Sequence, residues 1–168
     1  MYNLSTTSAS KVYANINIHE VNAYETRKTI SELFHIVSDA NPEVEKCYTC
    51  KVIVLSIDMN NDFYYKSSIV CYRKLMEIES KFYFVVRYML NVLAGIEIIS
   101  AWFILFDKEI EKVIGYNIKT VVELYLEDGW ASNTLKLIMN DLISHRFVFE
   151  VKLNNYNIQR GSQRFTVS

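Results

Sequence analysis

The sequence has few of the residues that mark the common kinds of functional site. Cysteine and histidine each occur only three times in 168 residues, and His19, His35 and His145 lie far apart. Cys47 and Cys50 form a CxxC pair. A zinc site or a redox pair needs further ligands or a strand-to-helix context, and both are missing around this pair. We therefore expect ordinary, partly buried cysteines and no metal or other cofactor.

Motifs for calcium binding and for catalysis are incomplete or missing. Asp58, Asn60 and Asp62 match the first ligands of a calcium loop. Phe63 stands where that loop needs glycine, however, and Ile69 stands where it needs glutamate. No nucleophile elbow, phosphate loop or paired-carboxylate motif is present in the sequence. The sequence thus predicts a polar turn at this place and disfavours an enzyme.

Basic clusters and export signals are also lacking. The net charge is -1, the pI is near 6.3, and lysine and arginine are scattered. This pattern predicts no nucleic-acid partner. The first ten residues lack the basic start and apolar run of a signal peptide, and no hydrophobic tail follows residue 150. We expect a cytosolic protein with reduced cysteines and no stable membrane insertion.

No internal repeat and no linker divides the chain. Its length suits one domain, and a hydrophobic content of 51% with 14% aromatic residues is ample for a core. The sequence predicts a single domain over 1–168. Residues 1–10 form a loose N-terminal arm in this interpretation, and 150–168 form a C-terminal tail.

The longest apolar stretch, 82–106, carries only two charges, Arg87 and Glu97. As a helix it would span roughly 37 Å, the width of a small domain or of a bilayer core. Glu97 argues against a membrane span, because a carboxylate at mid-bilayer costs roughly 2.5 to 3.5 kcal/mol. We interpret the stretch as the buried central helix of an all-α domain. Gly95 within it predicts that another backbone passes close by.

Apolar residues at helical spacing predict further helices on both sides of this stretch. Two alternatives stay open: the segment 11–19 suits a helix or a strand, and the β-branched run at 52–54 favours a strand. The predicted helices are an amphipathic one at 24–39, one from Pro42 to about Ile57, one at 67–79, one from Asp107 to the Glu127–Gly129 turn, and a last pair from Trp130 to Ile143.

Three short motifs resemble those of the Bcl-2 family in order and spacing. Phe84-Val85-Val86-Arg87 opens the central stretch, where the family has Asn-Trp-Gly-Arg. Asp128-Gly129-Trp130 stands for the family's Gly-Gly-Trp. Upstream, the segment from Phe34 to Asp39 is similar to a BH3 pattern of a large apolar residue, spacers, a small residue and Asp. Phe84 and Val86 depart from the family's Asn and Gly, and such divergence resembles that of viral homologues from large DNA viruses such as iridoviruses or poxviruses.

The resemblance implies a bundle of about seven to eight helices that inhibits apoptosis in the host cytoplasm or at the mitochondrial surface. Such a protein would hold BH3 helices of pro-apoptotic partners such as Bim, Bak or Bax in a surface groove. The alternative is a helical interaction module without BH3 binding, including an obligate homodimer. Arg87 would pair with the ligand's Asp. The groove would be lined by Val44, Tyr48, Val52, Leu75, Ile78, Phe84, Val86, Arg87 and Leu90; for each apolar member a plain core position is an equal alternative.

Overall fold

A computed structural model describes residues 26–39, 46–68 and 84–168. Within these residues the chain forms a mixed α/β structure of six strands and five α-helices, so the predicted all-α fold is wrong. The strands are β1 (Cys47–Ile57), β2 (Tyr64–Ser68), β3 (Phe84–Ile96), β4 (Ile99–Phe106), β5 (Arg146–Lys152) and β6 (Arg164–Val167). The helices are α1 (Ile30–Ser38), α2 (Asp107–Ile114), α3 (Ile118–Asp128), α4 (Asn133–Asp141) and α5 (Asn155–Arg160), with a 3-10 turn at Gly129–Ala131.

Five of these strands close into a barrel. The strand order is β1, β5, β6, β4, β3, and β3 pairs back onto β1. The β4–β6 pair is parallel and the other pairs are antiparallel. One edge of β3 serves two partners, since residues 92–95 pair with β1 and residues 84–88 pair with β2. β2 therefore extends the barrel wall beyond the end of β1.

The stretch predicted as a central helix is the β3–β4 hairpin. Its turn is Glu97–Ile98, between the paired residues Ile96 and Ile99. The residues that point into the barrel are fully or almost fully buried: Leu90, Val92, Ala94, Ala101, Phe103 and Leu105. The intervening outward residues are mostly apolar too. The stretch therefore lacks the polar–apolar alternation that identifies a strand, and an apolar run on its own does not separate a buried strand from a buried helix.

The helix predicted from Pro42 to Ile57 is also wrong over its described part, which is the strand β1. The β-branched run at 52–54 had favoured this alternative. Along β1, alternate residues from Tyr48 to Val54 are buried against the barrel interior. A β-bulge between Val54 and Ser56 shifts the pairing with β3, and Leu55 is left exposed there. A bulge bends a strand, which suits a strand that must curve around a closed barrel.

The amphipathic helix predicted at 24–39 is present as α1, which begins only at Ile30. Thr29 caps it: its side chain accepts a hydrogen bond from the Glu32 backbone N–H, and the Glu32 carboxylate accepts one from the Thr29 backbone. This capping box defines the first turn of the helix. Of its apolar residues at helical spacing, Ile30, Leu33 and Val37 are buried and Phe34 is partly exposed.

The helix predicted to begin at Asp107 is present, but as two helices. Gly115 ends α2 in the left-handed conformation at φ 71°, and Asn117 caps the start of α3. The last predicted pair is the 3-10 turn followed by α4. Beyond it, the supposed C-terminal tail contributes α5 and β6, and β6 places Phe165 fully inside the barrel.

Aromatic side chains fill the middle of the barrel. The ring of Phe103 lies 5.2 Å from that of Phe149 and 5.9 Å from that of Phe165. α1 covers this part of the barrel, since Phe34 stacks on Phe165 at 5.9 Å. Ile110 of α2 and Leu135 and Met139 of α4 complete the same buried cluster.

Several predicted segments lie outside the described residues: 1–10, 11–19, the start of the Pro42 helix, and most of the helix at 67–79, whose first two residues belong to β2. Among the described helices, none is long and apolar enough to cross a membrane. The expectation of a single domain over 1–168 stays a prediction.

A backbone does pass close to Gly95, as predicted. A Cβ atom there would lie 2.5 Å from the Ile99 carbonyl oxygen, across the same hairpin. Without this contact, Gly95→Ala should stabilise the strand by about 0.5–1 kcal/mol, because glycine loses more backbone entropy on folding. With it, we expect the free energy of unfolding to fall by about 1–3 kcal/mol. Urea denaturation, monitored by circular dichroism, gives the sign of this change in the free energy of unfolding.

The matched control for this substitution is Ile98→Ala at the tip of the same turn. The Ile98 side chain is 97% exposed, so its removal should change the free energy of unfolding by less than about 0.5 kcal/mol. A Gly95→Ala protein more stable than the parent would show that the hairpin has room for a side chain.

Candidate functional site

The outward side chains of β3, β4 and β6 form one surface, which we call the outer face. Its members are Met89, Asn91, Leu93, Trp102, Ile104, Arg164 and Thr166. Successive residues of a strand point to opposite sides, and the neighbours of these residues along each strand are buried in the barrel, except for the partly buried Tyr88. Arg164 is exposed and the other members are partly exposed.

Strand register arranges the outer face in rows. In one row Arg164 of β6 lies opposite Trp102 of β4, which lies opposite Leu93 of β3. Neighbouring strands are about 4.8 Å apart, so a cation, an indole ring and an aliphatic side chain follow one another closely. The next row has Thr166, Ile104 and Asn91 in the same order.

The two tryptophans have different surroundings. Trp130 packs in a cluster with Phe63 at 5.6 Å and Tyr125 at 5.2 Å, and its indole N–H donates to the Asn61 carbonyl at 3.1 Å. Trp102 has neither a ring partner nor a hydrogen bond among the described residues. A partly exposed indole without such contacts can accept a flat ring on its face.

The connection between β5 and β6 sets the position of Arg164. Asn157 of α5 is 1% exposed, and its side-chain amide donates to the carbonyl oxygens of Ser162, at 3.2 Å, and Arg164. The Arg164 backbone N–H in turn donates to the Ser162 hydroxyl at 3.3 Å. Arg160 lies in the same connection, with its guanidinium 5.5 Å from the Tyr156 ring. This side of the outer face is therefore cationic.

The connection between β1 and β2 borders the opposite side and carries acids. The Asp58 backbone N–H donates to the Asn91 carbonyl at 3.0 Å, which joins the start of the connection to the outer face. The Asp58 carboxylate accepts from the Asn60 backbone at 2.9 Å and from the Asn61 side chain. The predicted polar turn is thus confirmed. Asp62 is exposed, and beside it the pKa of Tyr125 is raised, first by burial and then by this carboxylate.

Arg87 lies on β3 where the outer face meets α2. Its guanidinium pairs with the Asp107 carboxylate at 2.7 Å, and the same carboxylate accepts from the Tyr88 backbone at 3.0 Å. The pair explains why a cation occurs in an apolar stretch: it joins β3 to the first residue of α2. Nearby, burial raises the pKa of Tyr65, and the Arg87 charge opposes that rise.

The predicted groove residues are not gathered on one surface. Tyr48, Val52 and Leu90 point into the barrel and are at most 5% exposed, so they cannot line a groove. Val86 is exposed, at 38%. Phe84 lies on β3 opposite Ser68. Val44, Leu75 and Ile78 lie outside the described residues.

The CxxC pair is divided between the two sides of β1. Cys50 points into the core and is fully buried, which raises the pKa of its thiol to about 11. Cys47 is partly exposed opposite Lys152, and burial is also the main cause of its raised pKa. The two thiols cannot share a metal ion or act as a redox pair, which supports the interpretation as ordinary cysteines. The described residues contain no cluster that could hold a metal ion.

A cavity of about 550 Å³ lies away from the outer face, between the start of α1 and the β3–β4 turn. Its lining includes acids and bases together, and one such pair, Lys28 and Glu32, is joined at 3.6 Å. This mixture gives no preference for a ligand of either charge.

No protein-family model matches the chain, and no curated protein matches it. Solved structures do. A replication protein A heterotrimer bound to single-stranded DNA is 16% identical, with a TM-score of 0.58, over 84% of this chain and 35% of that one. Yeast replication protein A bound to single-stranded DNA is 20% identical, with a TM-score of 0.59, over 84% of this chain and 85% of that chain. The fission yeast Pot1 and Tpz1 structure is 14% identical, with a TM-score of 0.40, over 84% of this chain and 88% of that chain.

The likeness to replication protein A concerns the fold. This chain spans about a third of the first of these chains. The barrel has the order of an OB-fold, a five-stranded barrel with Greek-key connections, and this overturns the Bcl-2 resemblance and the BH3-binding function inferred from it. Asp39 of the supposed BH3 motif is the C-cap of α1, and Trp130 belongs to the aromatic cluster. Without the resemblance, the inferred viral source has no support.

Sequence reasoning missed the members of the outer face, although most of them belong to a stretch that the prediction had singled out. Met89 to Ile104 belong to the stretch interpreted as a helix, in which they would have faced every direction. The detectable signal was a pair of apolar runs on either side of Gly95 and Glu97, since two such runs separated by a short segment with glycine are typical of a hairpin. Arg164 and Asn157 were hidden in the supposed tail, because a six-residue helix and a four-residue strand give little periodic signal.

Asn157 should be important for the stability of the β5–β6 connection. Asn157→Ala removes the donor for two carbonyl oxygens at a buried position, which should lower the free energy of unfolding by about 1–3 kcal/mol. The matched control is Asn155→Ala on the exposed first turn of α5. Chemical denaturation gives the energies, and hydrogen exchange should show faster exchange around Arg164 in Asn157→Ala alone. Equal stability of the two variants would contradict this role.

Proposed function

We propose that this chain binds single-stranded nucleic acid on its outer face. The observation that carries the proposal is the row in which Arg164, Trp102 and Leu93 lie side by side on neighbouring strands. Stacking surface, apolar floor and positive charge are the parts from which sequence-tolerant sites for single strands are built. The expectation of no nucleic-acid partner is wrong, since it rested on the charge of the whole chain and not on one face.

The position of this row on the barrel supports the proposal. In OB-folds the face of the second and third barrel strands, with the flanking loops, binds oligonucleotides. In this chain β3 and β4 are the second and third strands of the barrel in chain order, because β2 lies outside it. The replication protein A structures of similar fold are bound to single-stranded DNA.

Trp102 would supply most of the binding energy. A base stacked on an aromatic side chain contributes about 1–3 kcal/mol. Leu93 and Ile104 lie beside the indole in the two rows. They would cover the edges of a stacked base and reduce its contact with water.

The electrostatic part of binding should be modest. Arg164 is exposed and forms no ion pair with a described residue, and Arg160 lies close by in sequence. For single strands the logarithm of the affinity falls with the logarithm of salt by about 0.7 for each neutralised phosphate. With only Arg164 and Arg160, among the described residues, on the cationic side of the outer face, binding should show a shallow salt dependence, and stacking should contribute more of the binding free energy than phosphate contacts do. We also propose that the chain is a binding protein and not an enzyme.

Removing the indole tests the stacking platform. Trp102→Ala should weaken binding of a fluorescent single-stranded oligonucleotide by about 5- to 150-fold, the loss of one stacked base. The matched control is Tyr116→Ala, an aromatic residue that is 52% exposed on the connection between α2 and α3. Fluorescence anisotropy measures both affinities. Unchanged binding by Trp102→Ala, with binding by the parent protein, would exclude the outer face as the site.

Neutralising the cation tests the phosphate contact. Arg164→Gln should weaken binding to every sequence alike and should make the salt dependence shallower by about 0.7 in its logarithmic slope, since one phosphate contact is lost. Arg146→Gln is the control, because Arg146 is exposed on β5 and outside the outer face. A slope that is the same in Arg164→Gln and the parent protein would show that Arg164 meets no phosphate.

A further inference from the structure

The charges around the outer face are unequal on its two sides. The β6 side carries Arg160, near the end of the β5–β6 connection, and Arg164, the first residue of β6. The β1–β2 connection, on the β3 side, carries Asp58 and Asp62, and its first backbone N–H bonds to β3. A phosphate is attracted to the first side and repelled by the second. The sugar–phosphate backbone should therefore follow β6, and the bases should point across β4 toward β3.

Asn91 lies where the edges of such bases would arrive. It is opposite Ile104, and it is two residues from Leu93, the partner of Trp102, so it is the diagonal neighbour of the indole. Diagonal neighbours in an antiparallel pair are about 7–8 Å apart, within reach of a base that rests on the ring. The base edge, and not the phosphate, would meet this side chain.

The side-chain amide of Asn91 carries both a donor and an acceptor group. It is partly exposed among Met89, Leu93 and Ile104, and it makes no hydrogen bond to a described residue. Its backbone, by contrast, is fixed, since the carbonyl accepts from Asp58 at 3.0 Å. A polar group in an apolar setting gains most from a ligand that supplies the missing partners. Trp102 and the aliphatic residues accept any base, whereas an amide distinguishes donors from acceptors.

We propose that Asn91 makes one position of the site selective for adenine, an inference that rests on the proposed function. The amide oxygen accepts from the exocyclic 6-amino group, and the amide N–H donates to the adjacent ring nitrogen, which is the bidentate pairing that asparagine makes with adenine. Single-stranded bases can be recognised in this way while they stack on an aromatic ring. Arg164 and Trp102 hold the strand, and Asn91 selects the base.

The test compares oligonucleotides that differ in one functional group. Oligodeoxyadenylate and the same strand with purine in place of adenine both stack, but purine lacks the 6-amino group. The parent protein should bind the adenine strand about 5- to 100-fold more tightly, the range for one bidentate base contact. Asn91→Leu, of similar size, should bind both strands with nearly equal affinity. Measured as a double-mutant cycle, the coupling isolates this contact from stacking.

Two further variants strengthen the test. Asn91→Val removes both the acceptor and the donor and suits a strand, so it should also lose the preference, and it serves if Asn91→Leu does not fold. Thr166 lies at the other end of the same row as Asn91, beside the proposed path of the sugar–phosphate backbone. Thr166→Val should therefore keep the preference for adenine.

Each result is decisive. Failure of the parent protein to bind either strand would remove the proposed function. Binding with an adenine preference that persists in Asn91→Leu, or with no preference in the parent protein, would leave the proposed function standing and overturn the role of Asn91.

Discussion

Pairing along both edges of β3 is the constraint on which the rest of the molecule depends. One edge carries β4 over the full length of the hairpin, and the other carries β1 and then β2. Without the short pairing between residues 53–57 and 92–95, the sheet would be open and β1 and β3 would each expose an unpaired edge. Closure satisfies these backbone groups and encloses the aromatic core of Phe103, Phe149 and Phe165.

The same closure creates the outer face. Once Val92 and Phe103 point inward, the register requires Leu93 and Trp102 to point outward and side by side. The apolar content of the β3–β4 hairpin is therefore divided in two, since one half fills the barrel and the other half forms the outer face. A side chain on this face cannot be moved by one position along its strand without exchanging core for surface.

The sequence predicted some elements well and others badly, for identifiable reasons. α1 was predicted from its 3.6-residue apolar pattern, although the helix begins at the capping box of Thr29 and Glu32 and not at residue 24. The start of α2 was predicted from the acids of its first turn and its apolar face. The β3–β4 hairpin was not predicted, because apolar residues occupy both of its faces. β1 was predicted only as an alternative, because of the β-branched residues Val52, Ile53 and Val54. Charge averaged over the chain concealed the unequal sides of the outer face, which exist only after the β1–β2 and β5–β6 connections are brought to opposite sides of one sheet.

The position of β6 in the barrel affects the folding of the chain during its synthesis. β6 lies between β5 and β4, yet it is the last of the barrel strands in chain order, and Phe165 lies at the centre of the core. On the ribosome, β4 must keep an unpaired edge until residues 164–167 have emerged. β1 likewise waits for β5, almost a hundred residues later. The nascent chain thus holds an exposed apolar hairpin from the synthesis of Phe106 until β6 emerges, a state in which folding is slow and chaperone binding is favoured.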